Sequence, residues 1–195
     1  MIKKLWIDIE TSGLDHNNES IVQLVAIYAE DDKIIDSFSI YAHPDKFTNN
    51  FEQASKIHGL TKEFVLENGV DETDLYINFI KFLDKHIGKY IKGDRAILAG
   101  SRSEFDYLFI KELFSRANDD GFYSYFYTVP FDINQLALTC VNFGLMDPPT
   151  NYKLQTLCSA LGVGIGNAHN AEDDIIATIK IYKKLKKLLK DYNGN

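Results

Sequence analysis

The chain of 195 residues is poor in cysteine, proline, arginine and long apolar runs. Its two cysteines, Cys140 and Cys158, are too few for a disulfide framework, so reduced thiols and a cytoplasmic location are expected. No cysteine–histidine cluster suggests a structural zinc. No apolar segment approaches the roughly 20 residues that cross a bilayer, and the N-terminus lacks a signal-type apolar core. No membrane contact is therefore expected. The four prolines and twelve glycines form no linker, and there is no internal repeat. The length fits a single domain over residues 1–195, with its core over about 3–190.

Positive charge is also short. A net charge of −7, with Arg95, Arg102 and Arg116 the only arginines, opposes simple electrostatic attraction to nucleic acid. That objection weakens if several acids are metal ligands, because divalent ions would bring positive charge to the arriving substrate. The one basic concentration is Lys180, Lys183, Lys184, Lys186, Lys187 and Lys190, read as a solvated helix face or a phosphate-attracting rim.

What is present is an ordered α/β pattern. Residues 2–9, 20–29 and 33–41 read as strands, broken at Ser12-Gly13 and Asp31-Asp32, and their short spacing predicts an antiparallel meander. Leu75, Tyr76, Phe79, Ile80, Leu83 and Ile87 recur at helical spacing over 73–87. A strand from Arg95 to Ala99 precedes a helix marked by Phe105, Leu108, Phe109 and Leu113. A strand is expected over 127–131, then helices over 133–143, from Leu154 to Gly162, and over 171–190. The order predicts an α/β fold with a mixed β-sheet: three antiparallel strands first, then parallel strands, flanked by helices.

Three segments carry acids in suggestive places. In the stretch Leu5 to Asp15, Asp8 and Glu10 stand two apart and share a face if extended, where they repel unless a cation or proton lies between them. The plain alternative is a strand end in water. Asp106 follows a strand and Gly100, although Ser103 and Asp106 also fit a helix capping box. Asp174 follows His169 and Asn170 at the start of the last helix, where Asn170 fits an N-cap and Asp173 position N3. Together they offer carboxylate oxygens suited to Mg²⁺ or Mn²⁺. Asp132 reads most simply as an N-cap. The aromatic run Phe122 to Tyr127 reads as a base-stacking surface or homodimer contact, with core burial the alternative.

Asp8-Ile9-Glu10-Thr11-Ser12-Gly13-Leu14, Phe105-Asp106 and His169-x-Ala171-x-x-Asp174 resemble the three motifs of the DEDDh 3′→5′ exonucleases, in the ribonuclease H-like superfamily. Ile57-His58-Gly59-Leu60-Thr61 and Leu154-x-x-Leu157 support the likeness, which runs from about residue 3 to 185. The sister DEDDy group has tyrosine where this chain has Asn170. The second motif departs from many proofreading relatives, having Ser101 and Arg102 where they carry His-Asn, and there it looks more like oligoribonuclease. DNA, RNA and short oligoribonucleotides are all candidate substrates.

The resemblance implies a ribonuclease H-like fold and hydrolysis of single-stranded nucleic acid from a free 3′ end with two divalent ions, Mg²⁺ or Mn²⁺. It implies that Asp8 bridges both ions, that Glu10 and Asp174 complete the water-activating site, that Asp106 supports the second ion, and that His169 is the base. It also implies that the Thr11 backbone meets the terminal 3′-OH and that Leu14 wedges against the last bases. Phe105 is a base-stacking candidate or a core residue; His58 lines the cleft or makes a loop hydrogen bond. Arg102 either grips a phosphate or pairs with Glu104. A nuclease fold that has lost its chemistry and only binds nucleic acid or protein is the alternative, as is a different Mg²⁺-dependent phosphohydrolase. The presence of all five active-site side chains argues against loss.

Overall fold

The computed structural model describes residues 1–164, 166 and 170–192. Three strands come first, β1 (Lys3–Thr11), β2 (Ile21–Glu30) and β3 (Lys33–Tyr41), followed by helices α1 (Asn49–His58), α2 (Lys62–Asn68) and α3 (Glu72–Asp84). Strand β4 (Ala96–Gly100) leads into α4 (Ser103–Arg116), and a short α5 (Phe122–Tyr125) precedes β5 (Phe131–Asp132). Helices α6 (Ile133–Asn142), α7 (Leu154–Ala160) and α8 (Ala171–Asp191) complete the order.

Among the described residues the five strands form one sheet in the order β3-β2-β1-β4-β5. The pairs β1–β2 and β2–β3 are antiparallel, whereas β1–β4 and β4–β5 are parallel. This is the mixed sheet the sequence predicts. Asp31 and Asp32, both at positive φ, make the two-residue turn between β2 and β3, the geometry that matches strand twist and favours Asp.

The sheet has a helical layer on each face because β1 alternates. Leu5, Ile7 and Ile9 pack with Leu24, Ala26 and Tyr28 against Leu75, Phe79, Ile110 and Leu113 of α3 and α4. Trp6 points the other way, with Val25 and Ile27, against Ile133, Leu157, Ile175, Ile179 and Tyr182 of α6, α7 and α8. Asp8 and Glu10 continue the Trp6 row. Parallel pairing puts the carboxyl ends of β1 and β4 at one edge of the sheet, where ligands commonly bind in α/β folds.

Several expectations change. No element was expected between residues 42 and 72, yet α1 and α2 lie there, capped by Thr48 and Thr61, with Gly59 at φ 79° ending α1. Their apolar stripes are thin: α1 buries only Phe51 and His58, and α2 only Val65. The strand expected over 127–131 shrinks to Phe131–Asp132; Pro130, just before it, has no N–H to give a ladder. The aromatic run is mostly core, with Phe122, Tyr125 and Phe126 buried and only Tyr123 and Tyr127 well exposed. It is not a contiguous exposed patch.

A polar lock ties α8 to the hairpin. The Lys4 ammonium is buried and donates to Asp32 Oδ1 at 2.8 Å and to Tyr182 Oη at 3.1 Å. Tyr182 also donates to Asp32 Oδ1 at 2.8 Å, and Lys186 to Oδ2. Burial alone would raise the Asp32 carboxyl, but the hydrogen bonds from Lys186, Lys4 and Tyr182 outweigh it and hold it below the ordinary range. Its contribution to stability is therefore present above the unfolded pKa and lost as pH falls through the folded one. Asp32→Asn keeps the turn but leaves the Lys4 charge uncompensated. Thermal denaturation at neutral pH is expected to show a loss of about 1–3 kcal/mol, shrinking below about pH 4.

Candidate active site

The acids are delivered by three separate elements. Asp8 and Glu10 come from the end of β1, where the register with β2 shifts between Glu10 and Thr11. Such a bulge re-aims side chains at a strand end. Asp106 comes from the first turns of α4 and is fully inside, 4% exposed, its Oδ1 accepting from Ile9 N at 3.2 Å. Gly100 permits that approach. A Cβ there would lie 3.0 Å from the Ile7 carbonyl and 3.7 Å from Asp106 Oδ2.

The capping box expected at Ser103–Asp106 does not form. Arg102 occupies the N-cap at φ 59° without a side-chain cap, and Ser103 is the buried first residue of α4, its Oγ without a hydrogen bond. Asp106 then lies one position past N3, and its carboxylate turns to β1. At α8 the expected cap is present. Asn170 Oδ1 accepts from Glu172 N at 3.0 Å and Asp173 N at 3.3 Å, while Asp174 N bonds back to Asn170 O at 2.9 Å. Asp132 is likewise the N-cap of α6, accepting from Asn134 N at 2.7 Å.

These acids feel one another. Burial raises the Asp8 carboxyl well above the ordinary range, and Asp106, Glu10 and Asp174 push it further. Burial, then Asp174, moves Glu10 to about 7. Asp106 is raised chiefly by burial, against the hydrogen bond from Ile9 N, with Glu10 and Asp132 adding repulsion. Asp8 is thus the shared member of the group, while Asp8, Glu10 and Asp174 each keep a half-open edge toward solvent.

A hard divalent cation suits this donor set, which is all carboxylate and crowded. Among the described residues no three His, Cys, Asp or Glu side chains form a preset metal cage. A bound cation would relieve the repulsion among these acids. His169 lies outside the described residues. A further polar residue, Gln23, is 2% exposed and pairs across the ladder with Glu10. Its signal was a lone polar residue in an otherwise apolar strand.

The remaining positions sort clearly. Leu14 stands out at 86% exposure on the turn after β1, whereas Thr11 is buried with its hydroxyl donating to Gly13 O at 2.7 Å. His58 makes the loop bond, its Nδ1 accepting from Leu60 N at 3.0 Å. Its buried Nε2 has no hydrogen bond of good geometry, yet the Thr11 backbone lies near enough to oppose the lowering effect of burial. Phe105 is half-buried on Phe109, their rings 4.8 Å apart, as its core stripe implies. Arg102 is exposed and has no ion pair with Glu104 or any other described residue.

A mixed sheet with acids gathered at its carboxyl edge defines a ribonuclease H-like fold of nuclease type. The exonuclease family model (RNase_T) matches residues 5–182, and the chain belongs to that family, in its DEDDh branch. Divalent metal ions are implied by that membership. E. coli exonuclease I in complex with a dT13 oligonucleotide is similar at 21% identity and a TM-score of 0.80, with 98% of this chain covering 43% of that one. A moderately thermophilic exonuclease I from Methylocaldum szegediense is similar at 20% identity and 0.78, with 96% and 41% covered. A zinc ion bound form of the E. coli exonuclease I–ssDNA complex matches at 20% identity and 0.78, with 98% and 42% covered. This chain spans less than half the length of those proteins. No curated protein matches it.

Glu10 binds its proton more tightly folded than unfolded, so this acid costs stability as pH rises through the ordinary carboxylate range toward about 7. Metal-free protein should melt lower at about pH 8 than at about pH 5.5, and Mg²⁺ should raise the melting temperature more at the higher pH. Differential scanning fluorimetry with and without EDTA checks both.

Proposed function

We propose that this chain is a metal-dependent exonuclease that removes nucleoside monophosphates from the 3′ end of single-stranded nucleic acid, residues 1–195 acting as one exonuclease domain. The observation that carries the reading is the electrostatic convergence of Asp8, Glu10, Asp106 and Asp174 from three distant segments. Two Mg²⁺ or Mn²⁺ ions held there supply the charge that makes water nucleophilic and steadies the departing 3′-oxygen. Asp8, on which all three other acids act, would be the shared ligand. Glu10 and Asp174 would hold the ion nearer α8, and Asp106, anchored on Ile9 N, would hold the other. His169 precedes the N-cap of α8 in sequence, and an imidazole there takes the proton from the attacking water.

The substrate's terminal nucleotide lies against the turn after β1. The Thr11 backbone meets its 3′-OH and exposed Leu14 covers its base, with Phe105 and His58 behind them. Arg102, exposed and unpaired with any described carboxylate, grips a backbone phosphate. The dT13 oligonucleotide bound to the similar E. coli exonuclease I favours single-stranded DNA as the first substrate to test. Short oligoribonucleotides are the alternative.

With 5′-labelled single-stranded DNA and Mg²⁺ or Mn²⁺, the expected product is a one-nucleotide ladder, abolished by EDTA or a blocked 3′ end. Asp8→Asn and Asp174→Asn should end cleavage without unfolding the protein, and His169→Ala should slow it by roughly 10²–10⁴-fold. Full activity in Asp8→Asn contradicts the assignment. Arg102→Ala should raise KM for the oligonucleotide; an unchanged KM removes it from the substrate path.

A further inference from the structure

The turn joining β1 to β2 is braced on several sides. Glu19 is 5% exposed, yet its carboxylate has no ion-pair partner among the described residues. It accepts instead from Ser12 Oγ at 2.6 Å and from Asn50 Nδ2 of α1, also at 2.6 Å. Ser12 and Ser20 close the base of the turn, Ser12 N donating to Ser20 O and Ser20 N to Ser12 Oγ, each at 2.8 Å. Gly13 lies directly on the carboxylate, where a Cβ would come 2.7 Å from Glu19 Cδ.

Arg116 clamps the same segment from α4. Its Nη2 donates to His16 O at 2.6 Å and Glu19 O at 2.9 Å, while Nη1 binds Glu72 at 2.9 Å. One helix therefore fixes both Asp106, near its start, and the return limb of the turn, near its end. At the apex Leu14 is 86% exposed between these fixed limbs. A buried carboxyl group whose described donors are neutral is a costly way to hold an exposed leucine.

We infer that Glu19 is a positioning residue, whose carboxylate ties the β1–β2 turn to α1 so that Leu14 and the Thr11 backbone are already placed for the substrate's 3′-terminal nucleotide. This rests on the substrate reading given above. A preset turn loses little freedom when substrate binds, so its effect falls on substrate affinity. The hydrogen-bond partners described for the carboxylate, Ser12 and Asn50, belong to the turn and to α1.

The test is steady-state cleavage of a 5′-labelled single-stranded oligodeoxynucleotide with Mg²⁺ by Glu19→Ala, Glu19→Gln, Asn50→Ala, Leu14→Ala and the Glu19→Ala/Leu14→Ala pair, each with its melting temperature. Glu19→Ala should raise KM about 10-fold with kcat within about 3-fold, and Asn50→Ala should move KM the same way. Glu19→Gln should recover most of the loss, since its amide can accept from Asn50 and donate to Ser12 Oγ. The double variant should be no worse than Leu14→Ala alone, because both changes remove one interaction. Additive KM effects, or a lower melting temperature with unchanged KM, overturn the inference. If Leu14→Ala leaves KM unchanged, the reading of Leu14 fails instead; if the unmodified protein cleaves nothing, the proposed function fails.

Discussion

Four carboxylates forced together at one edge of the sheet set the terms for the rest of this structure. Asp8, Glu10 and Asp106 lose solvation by burial and are repelled by neighbouring acids, so they hold protons above the ordinary carboxylate range. A fold does not gain stability from such a group. Its cost has to be met by packing elsewhere, and in the function proposed above its use is to hold cations. The net charge of −7 thereby stops being an objection to a nucleic-acid substrate.

The surrounding architecture serves to hold those acids against their repulsion. β1 is the centre of the sheet, fixed by antiparallel pairing on one side and parallel pairing on the other. Its odd residues seat α3 and α4, and its even residues seat α6, α7 and α8. Asp106 is held by the close approach of α4 over Gly100, and Asp174 by a cap on α8 that leaves the helix start facing β1. At the far end of the same β1 face, Lys4, Asp32, Tyr182 and Lys186 secure α8 to the first hairpin. One face of one strand thus carries a lock at one end and the acid cluster at the other.

Most of this was legible in the sequence where periodicity was strong. The three opening strands, the Asp31-Asp32 turn, α3, α6 and α8 follow from alternation, helical stripes and caps. Helices α1 and α2 escaped because they bury so little that no stripe marks them, although Thr48, Gly59 and Thr61 signalled their ends. Ser103 misled, since a Ser three residues before an Asp looks like a capping box, whereas tertiary contact with Ile9 N claims the carboxylate. The acids could be picked out one by one, but their mutual reach was expected only through the resemblance of the three motifs to a known family, because spacing says nothing of convergence between distant segments. Glu19 carries no sequence signal for a related reason: its partners Ser12, Asn50 and Gly13 meet it only after folding.

Calorimetric titration of Mn²⁺ into the metal-free protein at neutral pH, repeated in two buffers of different ionisation heat, tests the central claim most directly. With Glu10 held near 7 and Asp8 and Asp106 also raised, binding should release protons, and Asp8→Asn should weaken it strongly. Binding without proton release, or binding as tight in Asp8→Asn as in the unmodified protein, would contradict the account.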